Sequence, residues 1–304
     1  MKKIILSLLF LITFNQSAFS VDDCCSLEKS KLTGIGFHKR SELSNEIQIK
    51  QLFDKYQKFV NNKSLDEFLN IHHDEYKSAD GYDKSALKKL AIEAWNEYPD
   101  IKHNIRVISI DVDVDYATVI AQEKLIGVTK NQIALVKGDG LINSESTSIY
   151  YLKKCSNEWK ITSDNIIKEK TALRYGLAKY IPMSIDAPGM INPNQEYTAV
   201  LKINTPKQYV TLVSINNELI TYPTTKSDEV FRALKSTGLQ ERILTSNDGK
   251  KNENAVASVG IAKANVDESN ISVDLLGIAF LSSRVNVITH KDNNINNEGT
   301  DTNE

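Results

Sequence analysis

The stretch IRVISIDVDVDYATV occupies residues 105–119, and from Ile108 to Asp115 its apolar and polar side chains alternate strictly. A period of two is typical of an antiparallel strand with one buried face. We therefore expect a strand that turns near Asp113 and a return strand over residues 116–126. The side chains expected to face the core are Ile108, Ile110, Val112 and Val114.

Three helical segments precede this stretch. They cover residues 44–61, 64–71 and 85–98, and apolar residues recur in them at helical spacing. Ser64 begins a Ser-Leu-Asp-Glu capping box for the second helix, and Ser85 is the expected cap of the third. The stripe of the third helix expected to face inward is Leu87, Leu90, Ala91, Ala94, Trp95 and Tyr98.

A second hairpin is expected after the first. Residues 146–154 and 158–167 have strand character on either side of Ser156-Asn157. A curved sheet wrapped on a long helix forms a cone with a pocket at its open end. Aromatic residues at core spacing either pack in the interior or line such a pocket. The aromatic residues predicted to line it are Trp95, Tyr98, Tyr116, Tyr150 and Trp159.

This order of elements resembles the nuclear transport factor 2-like superfamily, particularly its SnoaL-like and ketosteroid isomerase-like members, over about residues 44–170. The motifs that carry the resemblance are Ile49 to Val60 followed by SLDEF at 64–68, Asp80-Gly81, Ile105 to Val119, and IYYL at 149–152 followed by WKI at 159–161. The resemblance implies a cone-shaped domain. The superfamily includes isomerases, cyclases, dehydratases and many non-catalytic domains, so the fold does not select a role.

The densest polar cluster of the chain is His72, His73, Asp74 and Tyr76, where the second helix ends. A histidine beside a carboxylate can act as a general base, because imidazole titrates near neutral pH. The alternative is a solvated helix C-terminus, where histidine suits the helix dipole. Adjacent histidines are poorly spaced for zinc. Aspartates at 111, 113 and 115 lack the glycine and glutamate of a calcium loop, so no metal or cofactor is predicted.

The second half of the chain is predicted to be mainly β. Strands are expected over 197–203, 209–215, 255–262, 271–276 and 278–287. Asn216-Asn217 is a candidate tight turn, and a short helix is expected from Ser227 to Gly238. The fold class is thus α+β, with a cone-shaped domain over 44–175, helices packed on a curved antiparallel sheet, and a sandwich-like domain over 181–288.

The N-terminus has the pattern of a secretory signal over residues 1–20, with two lysines, an apolar run and small residues at its end. A tail over 21–43 follows and contains Cys24 and Cys25, and either of these could pair with Cys155 if the protein is exported. A periplasmic or extracellular location is expected. Residues 289–304 are rich in asparagine and are predicted to be disordered.

Two functions follow as hypotheses from this organisation. The first is an exported non-catalytic protein that binds a small apolar molecule or an envelope protein in its pocket. The second is a lyase- or isomerase-type enzyme in which His72, His73 and Asp74 transfer protons and Tyr76 orients the substrate. A homodimer through the sheet of the cone is a further expectation. The net charge of −2 gives no reason to expect nucleic acid as a partner.

Overall fold

The structure of the protein is a computed structural model that describes residues 35–133, 135–222, 229–235, 237–266 and 271–288. The predicted signal, Cys24, Cys25 and the C-terminal tail lie outside the described residues. No helix in these ranges combines the length and the apolar character needed to cross a membrane.

Three α-helices come first, as predicted: α1 (Ile35–Asn62), α2 (Leu65–Asn70) and α3 (Lys84–Glu97). Ser64 is the N-cap residue of α2 as predicted, but the capping box is not formed, and the predicted cap of α3 is wrong. Ser64 makes no side-chain capping hydrogen bond. Asp83, not Ser85, caps α3, because its Oδ1 accepts the backbone N–H of Ala86 at 2.7 Å. The Asp83 side chain thus satisfies one of the backbone N–H groups at the start of α3 that have no partner within the helix.

The remaining elements are strands joined by turns and one short 3-10 helix (Leu177–Tyr180). The strands of the described residues are β1 (Lys102–Asp113), β2 (Tyr116–Val128), β3 (Gly140–Cys155), β4 (Glu158–Gly176), β5 (Met183–Asp186), β6 (Met190–Ile191), β7 (Glu196–Ile203), β8 (Val210–Leu219), β9 (Arg232–Ala233), β10 (Leu239–Thr245), β11 (Glu253–Val266) and β12 (Ile271–Val287). Both predicted hairpins of the first half are present. The turn between β3 and β4 uses Ser156 and Asn157 at positive φ, which suits a two-residue hairpin loop.

A β-bulge in β1 corrects the predicted alternation. Val107 pairs with Ala121 and Ser109 with Ile120, so Ile108 is the extra residue. Ile108 is therefore 48% exposed, whereas Ile110 and Val112 face the core as predicted; Val114 is 76% exposed because it lies in the turn after β1, at a φ of 54°. The bulge shifts the phase of the strand by one residue. Partly buried residues of β1 that pack on the core of the first half are Ile105, Val107, Ile110 and Val112.

Two further irregularities curve the sheet between β3 and β4. The register shifts once between Tyr151 and Leu152 and again between Thr147 and Ser148. Thr162 and Ile167 of β4 are the residues left without a partner on β3. Each bulge bends β4 and changes which of its side chains point inward. The inward positions of β4 are consequently Trp159 and Ile161, then Asp164 and Ile166, then Glu169, Thr171 and Leu173.

The large sheet continues from the first half of the chain into the second. Its order is β1-β2-β3-β4-β12-β11-β8-β9, and residues 170–176 of β4 pair with 277–283 of β12. A second sheet has the order β10-β7-β5. A shared apolar core lies between the two sheets, with Leu201 and Leu244 on one side and Val259 and Leu281 on the other. The α+β class is confirmed, while the sandwich-like description of the second half stays a prediction.

Two local predictions for the second half are wrong. Asn216 and Asn217 lie inside β8, where they pair with Val256 and Ala255 of β11, so they form no turn. The described residues between 229 and 238 contain the short strand β9 and no helix. Arg232 pairs with Val213 of β8, so the backbone groups of this segment find their hydrogen-bond partners on a neighbouring strand instead of within a helix.

A close backbone approach at Gly277 generates a stability prediction. A Cβ on Gly277 would lie 2.5 Å from the backbone nitrogen of Ala178, whereas one on Gly260 would meet only a side-chain atom of Leu275 at 3.6 Å. We expect Gly277→Ala to lower the free energy of unfolding by about 1–3 kcal/mol, because backbone must move. Gly260→Ala on the neighbouring strand is the matched control, and urea unfolding followed by circular dichroism measures both. Equal stability of the two variants would contradict the account.

Candidate active site

A cavity of about 370 Å³ lies between the helices and the inner face of the large sheet. Its helical wall is the predicted stripe of α3, since Leu87, Leu90, Ala91, Ala94, Trp95 and Tyr98 all line it. The second half of the chain supplies the rest of the wall: Glu218, Leu219, Ile220, Thr221, Asn254, Val256, Ser282 and Arg284. Both halves of the chain therefore build one site.

The floor of the cavity carries a line of polar side chains across the sheet. Ser146 of β3 pairs with Glu123 on one side and Glu169 on the other. Ser283 pairs with Lys170, which brings the next residue, Arg284, beside Glu169. Asn254 of β11 pairs with both Arg284 and Glu218. All six line the cavity, and we call them the polar row: Glu123, Ser146, Glu169, Arg284, Asn254 and Glu218.

Glu123 is held as a carboxylate by three donors. His103 Nε2 lies 2.9 Å from one of its oxygens, the Tyr150 hydroxyl donates to the other at 2.6 Å, and Ser148 adds a further hydrogen bond. Burial raises the pKa of Glu123, but the hydrogen bond and charge of His103 and the other donors outweigh burial, and its pKa ends below the ordinary value. A carboxylate only accepts, so His103 Nε2 carries the proton in this contact.

Asp164 is the second carboxyl group at this end of the cavity. Its environment raises its pKa, whereas that of Glu123 lowers it. Burial raises the pKa of Asp164 to about 6, and the negative charges of Glu123 and Asp80 add to the rise, although the hydrogen bond from Tyr76 opposes it. The Tyr76 hydroxyl donates to Oδ1 at 2.8 Å. Asp164 pairs across the sheet with Tyr150, the residue that donates to Glu123.

Backbone hydrogen bonds hold Tyr76 against Asp164. The segment that follows α2 runs beside β4: His73 N–H donates to Ile161 O, Lys77 N–H to Thr162 O and Ala79 N–H to Asp164 O. These bonds fix the position of Tyr76 between them, and its side chain is only 4% exposed. The Tyr76–Asp164 contact is therefore set by main-chain pairing rather than by two free side chains.

Aromatic rings surround the two carboxyl groups. Tyr56 stacks on Phe68 at 5.7 Å between ring centroids and lies edge-on to Tyr150 at 6.2 Å. Burial raises the pKa of Tyr56, Tyr76 and Tyr150 above the ordinary value, and the nearby negative carboxylates raise it further. These tyrosines are thus neutral phenols at physiological pH and can donate hydrogen bonds.

A buried ion pair closes the other end of the cavity. The two terminal nitrogens of Arg284 lie 3.0 and 2.7 Å from the carboxylate oxygens of Asp80, and the side chains are 1% and 6% exposed. Asn252 donates to Asp80 at 2.8 Å, and Arg284 Nε donates to Asn286 at 2.9 Å. Both charges are satisfied by partners, which is the condition under which a buried pair persists.

The predicted proton-transfer cluster divides in the structure. Tyr76 lines the cavity, but His72, His73 and Asp74 do not. His72 is buried, its Nδ1 lies 2.8 Å from Phe68 O, and burial lowers its pKa to about 4. Asp74 has a side chain that is 97% exposed and bound to Lys84 at 2.7 Å, and His73 Nδ1 accepts the Glu75 N–H. These placements give no support to proton transfer by His72, His73 or Asp74.

The predicted pocket aromatics also divide. Trp95, Tyr98 and Tyr150 line the cavity. Tyr116 is 58% exposed at the start of β2, because it flanks the turn after the phase of β1 has shifted. Trp159 is buried in the core beneath α1 and borders a separate surface depression that Gln48 also lines. Neither Tyr116 nor Trp159 contacts the cavity.

Comparison with known proteins gives structural likenesses only. The sequence matches no protein-family model and no curated protein. Solved structures that are similar include a provisionally assigned scytalone dehydratase from Novosphingobium aromaticivorans, with 16% identity over 42% of this chain and 86% of that chain and a TM-score of 0.37. The Kfla4162 protein from Kribbella flavida has 15% identity over 41% and 90% of the two chains, with a TM-score of 0.37.

A provisionally assigned dehydratase of the NTF2-like family from Streptomyces avermitilis is also similar, with 11% identity, 40% and 93% coverage and a TM-score of 0.33. The resemblance to the nuclear transport factor 2-like superfamily over about residues 44–170 stays a prediction. These likenesses concern the fold.

The raised pKa of Asp164 makes stability depend on pH. Its folded pKa of about 6 exceeds the ordinary value of 3.8, so the folded state binds the proton more tightly and loses stability as pH rises from about 4 to about 6. We expect Asp164→Asn to raise the free energy of unfolding at pH 7.5 by about 1–2 kcal/mol and to have little effect at pH 4.

The matched control for this prediction is Asp74→Asn. The hydrogen bond and charge of Lys84 hold the pKa of Asp74 below its ordinary value, so removal of its charge gives no stabilisation. Thermal unfolding of wild type and both variants between pH 4 and 8 measures the difference. An Asp164→Asn variant that is less stable than wild type at pH 7.5 would be the contrary result.

Proposed function

We propose that the protein is a lyase- or isomerase-type enzyme that moves a proton within the cavity, with Asp164 as the proton acceptor. The observation that carries the proposal is the contrast between two carboxyl groups on one wall. Glu123 has a lowered pKa and Asp164 one of about 6. Opposed environments of this kind are characteristic of acid and base assignments in active sites.

Asp164 has the properties of a general base near neutral pH. A carboxyl group with a pKa of about 6 is mostly ionised at pH 7 yet basic enough to take a proton from carbon. The Tyr76 hydroxyl donates to Oδ1, which leaves Oδ2 to accept the substrate proton. Proton removal would leave an electron pair on the substrate that moves toward an electronegative atom.

A neutral phenol supplies the complementary donor. Tyr56 of α1 and Tyr150 of β3 are hydrogen-bonded to each other, and both line the cavity together with Asp164. Tyr150 donates its one hydroxyl hydrogen to Glu123, so Tyr56 is the phenol of this pair whose hydrogen can turn to a substrate. A phenol hydroxyl held in an apolar cavity can stabilise a developing oxyanion at little reorganisation cost. Glu123 and His103 fix Tyr150 and thereby the position of Tyr56.

The presence of titratable groups inside the cavity favours an enzyme over a binding-only protein. A site that only stored an apolar molecule would gain by excluding carboxyl groups, because burial of each one costs free energy. Here Asp164 and Glu169 line the cavity although burial raises the pKa of both. Retention of such costly groups is typical of reaction sites.

The remaining features of the proposal concern the setting of the enzyme. It includes export to the periplasm or beyond, in accordance with residues 1–20, and a sandwich-like arrangement of the second half, supported by the core between the two sheets. A homodimer through the outer face of the cone is included because Ile108, Tyr151 and Ile167 are 48%, 42% and 38% exposed on its strands.

A neutral probe of carbon acid chemistry tests the role of Asp164. Base-promoted ring opening of 5-nitrobenzisoxazole consists of one proton abstraction and produces a coloured phenolate. We expect the wild-type protein to accelerate this reaction, with a rate that rises through a pKa of about 6. Asp164→Asn should lose about 100-fold in rate, because general-base catalysis contributes about that much.

Asp74→Asn again provides the control, since Asp74 lies outside the cavity and its removal should leave the rate unchanged. Tyr76→Phe should move the pH midpoint upward, because a donor that favours the carboxylate is lost. A rate that is the same in Asp164→Asn and wild type would show that Asp164 is not the base.

A further inference from the structure

The charged groups that face the cavity are unequal in number. The acidic residues among the described lining residues are Asp80, Glu123, Asp164, Glu169 and Glu218, and the basic ones are His103 and Arg284. Arg284 is fully engaged by Asp80 and Asn286, and His103 by Glu123. The salt bridges and short hydrogen bonds of both cations are thus made with these partners and not with Asp164 or Glu169.

Neither Asp164 nor Glu169 forms a salt bridge with a described residue, and the charge of Arg284 acts on both only from a distance. Within the described residues, the hydrogen-bond partner of the Asp164 carboxyl group is the Tyr76 hydroxyl, and that of Glu169 is Ser144 at the long distance of 3.5 Å. Glu123 and Glu169 flank Ser146 on neighbouring strands, so their backbones are about 10 Å apart. Two negative groups so close, at the edge of a cavity, create a negative potential inside it.

Aromatic rings surround the polar row, mostly from the helices and from the segment between α2 and α3. Rings attract cations through the negative charge on their faces, most strongly where water is excluded. The combination of rings with carboxylates is the chemistry by which proteins bind organic ammonium groups. The aromatic residues that line the cavity are Tyr56, Phe68, Tyr76, Tyr82, Trp95, Tyr98 and Tyr150.

We propose that the substrate of this cavity is a monocationic amine whose ammonium group lies at Glu169 in the polar row and whose apolar body packs against the aromatic wall. The volume of about 370 Å³ admits a small organic molecule of this kind. Anionic ligands are disfavoured, since Arg284 is already bound by Asp80. The proposal rests on the proposed function in one respect, that the cavity is the substrate site.

The electrostatics of Glu169 support this assignment. Burial raises the pKa of Glu169, and Asp80 and Glu123 raise it further, while Arg284 and the hydrogen bond from Ser144 lower it. An ammonium group beside Glu169 would favour its charged form, so binding releases a proton and strengthens as pH rises. The other titratable groups that face this space are Tyr56, Tyr76, Tyr82, Tyr98, His103, Tyr150, Asp164 and Glu218.

Three ligands with the same phenyl body test the proposal: 2-phenylethylamine, 2-phenylethanol and 3-phenylpropanoate. They are a cation, a neutral molecule and an anion at pH 7.5. Titration calorimetry on the full chain should give a dissociation constant for the amine at least about tenfold below that of the alcohol, since an ionic contact in an enclosed site contributes about this factor or more. The anion should bind more weakly than either.

Glu169→Gln should reduce the preference for the amine over the alcohol by about tenfold, because it removes the charge and keeps the shape. Glu145→Gln is the matched control, since Glu145 is an exposed partner of Lys124 on β3 and lies outside the cavity. A readout on unaltered protein guards against misfolding of the variant. Calorimetry of wild type between pH 5 and 8 should show amine binding that strengthens as pH rises and alcohol binding that does not.

The outcomes separate this inference from the proposed function. Equal or tighter binding of the alcohol or the carboxylate, or no measurable binding of any of the three, would overturn the amine assignment. Such a result, together with an Asp164-dependent opening of 5-nitrobenzisoxazole, leaves proton transfer in place and removes only the substrate class. A preference for the amine without any effect of Asp164→Asn on the probe reaction supports the ligand and contradicts the base.

Discussion

The buried ion pair between Asp80 and Arg284 is the interaction on which the form of the cavity depends. Both charges have left water, and each would be costly alone, so the turn that carries Asp80 must lie against the strand that carries Arg284. Gly81, at a φ of 91°, lets this turn close. The pair connects the loop before α3 to β12 and thereby joins the helical wall of the first half to the sheet of the second.

The continuous sheet makes that ion pair geometrically accessible. Pairing of β4 with β12 places Arg284 within the polar row, which begins at Glu123 on β2 and ends at Glu218 on β8. Arg284, the one arginine or lysine among the described residues that line the cavity, forms its ion pair with Asp80. The other carboxyl groups of the cavity therefore have few positive charges near them. Burial raises the pKa of Asp164 and Glu169, and the neighbouring carboxyl groups raise it further. Such groups destabilise the fold near neutral pH, as is common where function and stability compete.

Periodicity in the sequence was sufficient for the outline of the first half. The three helices, the two hairpins and the inward stripe of α3 follow from spacing alone, and Tyr76 was among the predicted site residues. The phase of the strands did not follow, because bulges at Ile108, Thr162 and Ile167 are not visible in an alternating pattern. The bulge at Ile167 matters most for the site, because it turns Glu169 toward the same face of the sheet as Asp164.

The rest of the site could not be predicted because its members meet only through tertiary pairing. Glu123 and His103 are on opposite strands of a hairpin, and Asp164 reaches Tyr76 across 88 residues of sequence. A polar residue at an inward-facing position of a strand would have indicated the site. The bulges change which positions face inward, so an alternating pattern did not reveal these residues. Asn216 and Asn217 misled for a similar reason, since partners on β11 outweigh their turn preference.

The most direct measurement of the central claim is the pKa of Asp164 itself. Carbon-13 NMR of the side-chain carboxyl groups between pH 3 and 8 follows each titration, and Asp164→Asn assigns the resonance. The account predicts a midpoint of about 6 for Asp164, well above that of Glu123, which should stay ionised below its ordinary range. A midpoint for Asp164 at or below the ordinary 3.8 would contradict it.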